Sequence, residues 1–195
     1  MFNDKYGLIQ AVLDGRKTMT RRMVFTKDVR LPVHLSCDIK TRKLLLYDAC
    51  LSLVERSRYA FDEVIAIAQS YETLANNGYL DKMMDGALSM KKEYAGAGYK
   101  NKMFVKADLM PHHIKITNIY IERLQEISDE DCLREGIRKW DKGGNPLGPS
   151  YDFVNSPHGY ATPREAFAAL IDKVSGKGTW ESNPLVWVYE FELVD

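Results

Sequence analysis

The stretch LVWVYEFELV (185–194) alternates without a break. Trp187, Tyr189, Phe191 and Leu193 fall on one side, and Val186, Val188, Glu190 and Glu192 on the other. A two-residue period of this kind is a β-strand. At least six stretches carry strand patterning, against three or four helices, and they do not follow a strict βαβ succession. Such a chain is expected to be α+β, with a small mixed or closed sheet flanked by helices. Its 195 residues suit one domain with an insertion, or at most two small domains.

The strands are placed by local pattern. Residues 5–14, KYGLIQAVLD, put Leu8, Ile9, Val12 and Leu13 on one helical face, and Gly15 stands where a helix-ending glycine belongs. KTMTRRMV then leaves as a strand, with Lys17, Met19 and Arg21 on one side and Thr18, Thr20 and Arg22 on the other. PVHLSC and KLLLYDACLSL read as two strands joined by the turn DIKTR. DEVIAIAQSY (62–71) is the clearest early strand, with Ile65, Ile67, Gln69 and Tyr71 sharing a face. A glutamine beside two isoleucines must be satisfied in the core or line a polar pocket.

Residues 72–101 break the pattern with four glycines and paired asparagines, while Leu80, Met83, Met84 and Leu88 keep near-helical spacing. They read as an inserted lobe with one short helix, after which MFVKA (103–107) returns to strand. HIKITNIYIERL (113–124) is another strand, its alternation slipping near Asn118 as at a bulge. Ser128 and Asp131 open one helix that Gly136 ends; Thr162, Pro163 and Glu165 open a second with a full capping box. KGGNPLGPSYDFVNSPHGYA between them reads as a loop.

Charge narrows the function classes. Lys+Arg and Asp+Glu both number 27, so no global field steers the chain toward nucleic acid or membrane. Residues 1–30 nevertheless carry seven basic against three acidic side chains, a local excess of four. Cys37, Cys50 and Cys132 are widely spaced, with no CxxC pair, and fit neither a zinc site nor a disulfide framework. That usage, with no signal-like or membrane-spanning stretch, points to a reducing cytoplasmic setting without a membrane partner. His112 and His113 point to opposite faces of a strand, and His34 and His158 stand alone, so no metal or other cofactor is called for.

Candidate site residues gather around GRKTMTRR. A lysine and a threonine at Lys17 and Thr20 could converge where helix meets strand. The first could hold a carbonyl or phosphate, and the second could donate, accept or attack. Arg21 adds a cation. Trp180, in GKGTWESNP, could stack on a base or pack under the sheet; Tyr71 carries the same pair of readings.

Taken in order, LDGRKTMTRR after a helix, FDEVIAIAQSY, IKITNIYIERLQEISDEDCLREGI and FAALIDKVSGKGTWESNPLVWVYEFELV resemble the ASCH domains of the PUA-like superfamily. The last of these is similar to the closing helix, W-x-x-N-P segment and final strand of phage and prophage members. The resemblance leaves the insertion at about 72–101 and the stretch 25–60 unmatched, and implies a single domain over 1–195: a small β-barrel with helices around it and a cleft beside the G-x-K turn. It implies RNA or a modified nucleotide or nucleoside as ligand, with Asn183 of the W-x-x-N-P segment joining Lys17, Thr20, Arg21, Gln69, Tyr71 and Trp180. Some small members are amidohydrolases of N4-acetylcytidine that use a Lys, a Thr and a Glu. Here Lys17 and Thr20 match, but the Glu falls on Gln69, and Asp62 stands where the family has glycine. A neutral amide cannot take a proton from water or threonine, so the residues favour a binder. A hydrolase with a replaced base and a protein-binding adaptor using the 72–101 lobe stay open as alternatives.

Overall fold

The computed structural model describes residues 2–25, 31–79, 98–141 and 148–194. The chain is mixed α+β and divides into two compact units. The larger comprises Asn3–Glu63 and Lys115–Leu193, and the smaller comprises Val64–Ile114 with Phe2 and Val194.

In the larger unit, a one-turn 3-10 helix (Asp4–Tyr6) leads into α1 (Leu8–Leu13), which buries Leu8, Ile9, Ala11 and Val12. Gly15, at φ +72°, releases the chain into β1 (Met19–Met23). β1 lies antiparallel to β9 (Leu185–Leu193), with Thr20 opposite Tyr189 and Arg22 opposite Trp187. On the far side of β9 runs β6 (His113–Arg123). Flanked by strands on both edges, β9 buries Leu185, Val186, Trp187, Val188 and Tyr189 on both faces. Thr117 and Asn118 are consecutive exposed residues in β6, and the buried set steps from Ile114 and Ile116 to Ile119; this is the slip that the alternation predicts.

A second sheet orders β2 (His34–Asp38), β3 (Lys43–Tyr47) and β4 (Leu53–Arg56) as two antiparallel hairpins. The single strand expected over KLLLYDACLSL is therefore two. The Asp48 carboxylate accepts from the N–H groups of Cys50 and Ser52, both at 2.9 Å, and Leu51 takes φ +58°, which folds the run back on itself. α3 (Asp129–Arg134) starts on Ser128, whose Oγ accepts from Asp131 N–H at 3.1 Å. α4 (Pro163–Ser175) has the full capping box of Thr162 and Glu165. The stretch expected to be a loop between these helices contains half a hairpin: β7 (Arg138–Trp140) pairs with β8 (Ser150–Asp152), and Tyr151 bridges Tyr160. Trp180, expected in a loop, sits in a short helix, α5 (Thr179–Ser182).

In the smaller unit the strand expected over 62–71 shrinks to β5 (Val64–Ala66), beside the start of β6. Ser70 ends it by capping α2 (Tyr71–Asn76), its Oγ accepting from Thr73 N–H at 3.2 Å. MFVKA forms no strand: Met103 and Phe104 lie in a turn, and Ala107 opens a 3-10 turn at Ala107–Leu109. Leu74 and Met110 form this unit's core, with Tyr71, Tyr79 and Val105 packed on it. The helix expected around Leu80, Met83, Met84 and Leu88 lies outside the described residues. Among the described residues no helix is long and apolar enough to cross a membrane.

Candidate functional site

The G-R-K turn does not present its lysine to solvent. Lys17 is 2% exposed, and its ammonium donates to Met19 O (2.8 Å), Glu135 O (2.9 Å) and Glu135 Oε2 (2.5 Å). An ammonium has three hydrogens, and each has an acceptor here. Glu135 comes from the end of α3, immediately before Gly136. That glycine has φ +105°, and a Cβ on it would stand 3.3 Å from Leu8 Cδ2 and 3.6 Å from Lys17 Cδ. The close approach of α3's end to α1 is what brings the carboxylate to the lysine.

Arg21, on the same face of β1, completes the cluster. Its Nη1 meets Glu135 Oε1 at 3.1 Å, its Nε meets Glu122 Oε1 at 2.7 Å, and its Nη2 lies 3.5 Å from Asp131 Oδ2. Arg134 extends the network to Asp131, Glu190 and the Thr18 hydroxyl. Burial lowers the Lys17 pKa, and attraction to Glu135 opposes this without cancelling it. Burial also works against the Arg21 charge, but Glu135 and Glu122 outweigh it and hold its pKa above the ordinary arginine value. Burial raises the Glu122 carboxyl, with Arg21 pulling the other way.

These contacts decide what the expected site residues serve. The grip on phosphate expected of Lys17 and Arg21 is taken up by protein carboxylates and carbonyls. Thr20 points to the opposite face of β1 from the Lys17–Arg21 side, so the two do not converge by way of strand parity. Trp180 packs edge-on to Phe167 and under the Arg164 guanidinium (5.2 Å), while its carbonyl accepts from Gln125 Nε2. Asn183, at φ +41°, uses its side-chain oxygen on Gln125 N–H at 2.8 Å. Trp180 and Asn183 therefore anchor the approach to β9.

Gln69 and Tyr71 belong to the smaller unit. Gln69 is 5% exposed; its N–H donates to Met110 Sδ, and its Oε1 has no donor among the described residues. The shared face predicted for them ends with β5, because Tyr71 opens α2; its hydroxyl accepts from Lys106 N–H. The carboxylate that accompanies Lys17 is Glu135, which sequence reasoning missed. Its one signal is its place before a helix-ending glycine in LREGI.

Among the described residues of the larger unit, two cavities bear on these side chains. One, of about 560 Å³, borders the G-R-K turn and is lined by Arg16, Arg134, Arg138, Lys139, Trp140 and Glu130. Its size falls in the range of small-molecule sites. Trp140 is 47% exposed, and the Arg138 guanidinium lies 5.4 Å from its ring centroid. Arg16 pairs with Asp14, and Arg138 with Asp152, whereas exposed Lys139 has no ion-pair partner among the described residues. The other cavity, of about 180 Å³, lies along the Arg22 and Trp187 face of the β1–β9 pair. Among the described residues no group of three His, Cys, Asp or Glu side chains could hold a metal ion.

Set against protein-family models, curated proteins and solved structures, the chain matches none.

Proposed function

We propose that this chain is a binding module for single-stranded RNA or nucleotides, built on an ASCH-type, PUA-like barrel, and that its ligand lies in the groove beside the G-R-K turn. The observation that carries this reading is the composition of that groove. An exposed Trp140 stands among Arg16, Arg134, Arg138 and Lys139 in one concavity. An aromatic face beside cations suits a single strand: the base stacks, and the cations track the backbone. The ion pairs of Arg16 and Arg138 with exposed or half-buried aspartates are weak enough for phosphate to replace. The antiparallel β1–β9 pair and the helix preceding the G-R-K turn support the family reading.

A binder fits better than a hydrolase. Both oxygens of Glu135 face cations, and Thr20 lies on the other side of the strand, so a base and nucleophile are not brought to one open cavity. The adaptor reading rests on residues that lie largely outside those described.

The test is fluorescence anisotropy with short labelled RNA at low salt. Trp140→Ala should weaken binding by roughly tenfold, the loss of one base–aromatic stack. Lys139→Ala should reduce the salt slope by about 0.7, one single-strand phosphate contact. Absence of binding to any oligonucleotide at low salt, or an unchanged affinity in Trp140→Ala, rejects the reading.

A further inference from the structure

The arginines that line the groove beside the G-R-K turn all have acidic partners. Arg16 meets Asp14 at 3.0 Å, Arg138 meets Asp152 at 2.8 Å, and Arg134 divides its three nitrogens among Thr18, Asp131 and Glu190. The carboxylate on the same wall has none. Glu130 lines the groove from the first turn of α3 and is exposed, and its carboxylate makes no hydrogen bond or ion pair among the described residues. A glutamate four residues before an arginine on a helix is placed to pair with it. Arg134 is drawn to Asp131 and Glu190 instead. The groove therefore joins an exposed indole and several cations to one uncommitted acceptor, which is no place for a phosphate.

An ionised carboxylate only accepts, through two oxygens side by side. The four bases differ in what they offer it. The Watson–Crick edge of guanine carries two adjacent donors, N1–H and the N2 amino group. Adenine and cytosine each set one amino group beside a ring nitrogen that accepts, and uracil sets its one N–H between two carbonyls. With any of these three, the second carboxylate oxygen faces a lone pair. In a single strand this edge is open to side chains.

We propose, resting on the groove reading above, that the base stacked on Trp140 is guanine and that Glu130 is the residue that selects it. The two carboxylate oxygens accept from N1–H and the N2 amino group, while Lys139 and the arginines meet the flanking phosphates of the strand. This turns a groove for any single strand into one that prefers a guanine at the stacked position.

The probes are short labelled uridine oligonucleotides with one variable base at the centre, read by fluorescence anisotropy at low salt. Guanine at the centre should bind about tenfold tighter than adenine, cytosine or uracil, within the range of one bidentate base contact. Inosine keeps N1–H but lacks the amino group, and should fall between guanine and the rest. The 7-deaza analogue of guanine keeps the Watson–Crick edge and loses N7, the atom through which an arginine or lysine reads guanine, and should bind as guanine does. Glu130→Gln changes an exposed side chain and removes a negative charge, so it should tighten binding of every oligonucleotide. The readout is the ratio between bases. Its amide presents one acceptor and one donor, so the four bases should then bind within about twofold of one another. Guanosine monophosphate, with a single phosphate, should displace the guanine oligonucleotide only at about tenfold higher concentration or more. Equal binding whatever the central base, loss of the preference with the 7-deaza analogue, or a preference that persists in Glu130→Gln overturns the inference. So does displacement by guanosine monophosphate at the same concentration as the oligonucleotide. Each of these leaves the groove reading standing, whereas binding of no oligonucleotide removes both.

Discussion

Lys17 Nζ and Glu135 Oε2 stand 2.5 Å apart, 118 positions apart in sequence, in side chains that are 2% and 6% exposed. Charges so deeply buried are tolerated only as a set. Glu135→Gln should therefore leave Lys17 and Arg21 undercompensated and cost about 3–5 kcal/mol in urea unfolding. The pair Lys17→Met with Glu135→Leu should cost clearly less than the two single losses added together. Strict additivity would show that the two side chains do not act as a unit.

The same geometry separates Lys17 from Lys139 in function. Lys17→Ala should leave the salt dependence of oligonucleotide binding unchanged at temperatures where the variant is folded, whereas Lys139→Ala lowers it. A reduced slope in Lys17→Ala would return that lysine to the phosphate contact that the G-x-K turn suggests.

Thiol chemistry gives a direct check on packing. Cys37 and Cys50 are exposed, while Cys132 is buried in α3 with its pKa pushed up to about 12 by burial. A chromogenic disulfide reagent at mildly alkaline pH should titrate two thiols quickly and the third only after denaturation. Rapid reaction of all three would show that α3 is not packed as described.

Alkaline titration reports on Tyr189. Burial pushes its hydroxyl from 10.0 up to about 12. Because the folded value is raised, its contribution is complete below pH 10 and is lost as pH rises through about 12. At neutral pH Tyr189→Phe should be less stable by about 1 kcal/mol, having lost the acceptor for Arg58 N–H. Between pH 10 and 12 the wild type should fall by about 2–3 kcal/mol relative to the variant. A constant difference across that window would contradict the burial of this hydroxyl.

Local rules were legible where local physics decides. Thr162, Pro163 and Glu165 announce α4, the unbroken alternation of 185–194 announces β9, and the slip at Asn118 is where the buried face changes. The failures come where one side chain bonds the backbone and overrides a pattern. Asp48 turns a run that alternates well, and Ser70 caps a helix in mid-strand patterning. Gly and Pro hid β8, which pairs with β7 rather than standing alone. The candidate site was half legible. Spacing put Lys17 and Arg21 on one face, but no local signal joins them to Glu122, Asp131 and Glu135. Those partners are delivered by tertiary packing of α3 and β6, and the open groove takes its Trp140 from a strand too short to read.

Among the described strands β1 pairs with β9 alone, and β9 is made after every other described strand. On a translating ribosome, β1 emerges early with Met19 and Arg21 ready for burial and nothing to bury them against. It must wait through the synthesis of the β2–β3–β4 sheet, the smaller unit, the β7–β8 pair and three helices. That interval is the chain's exposure to chaperones and to mispairing, since an edge strand without its partner accepts any other.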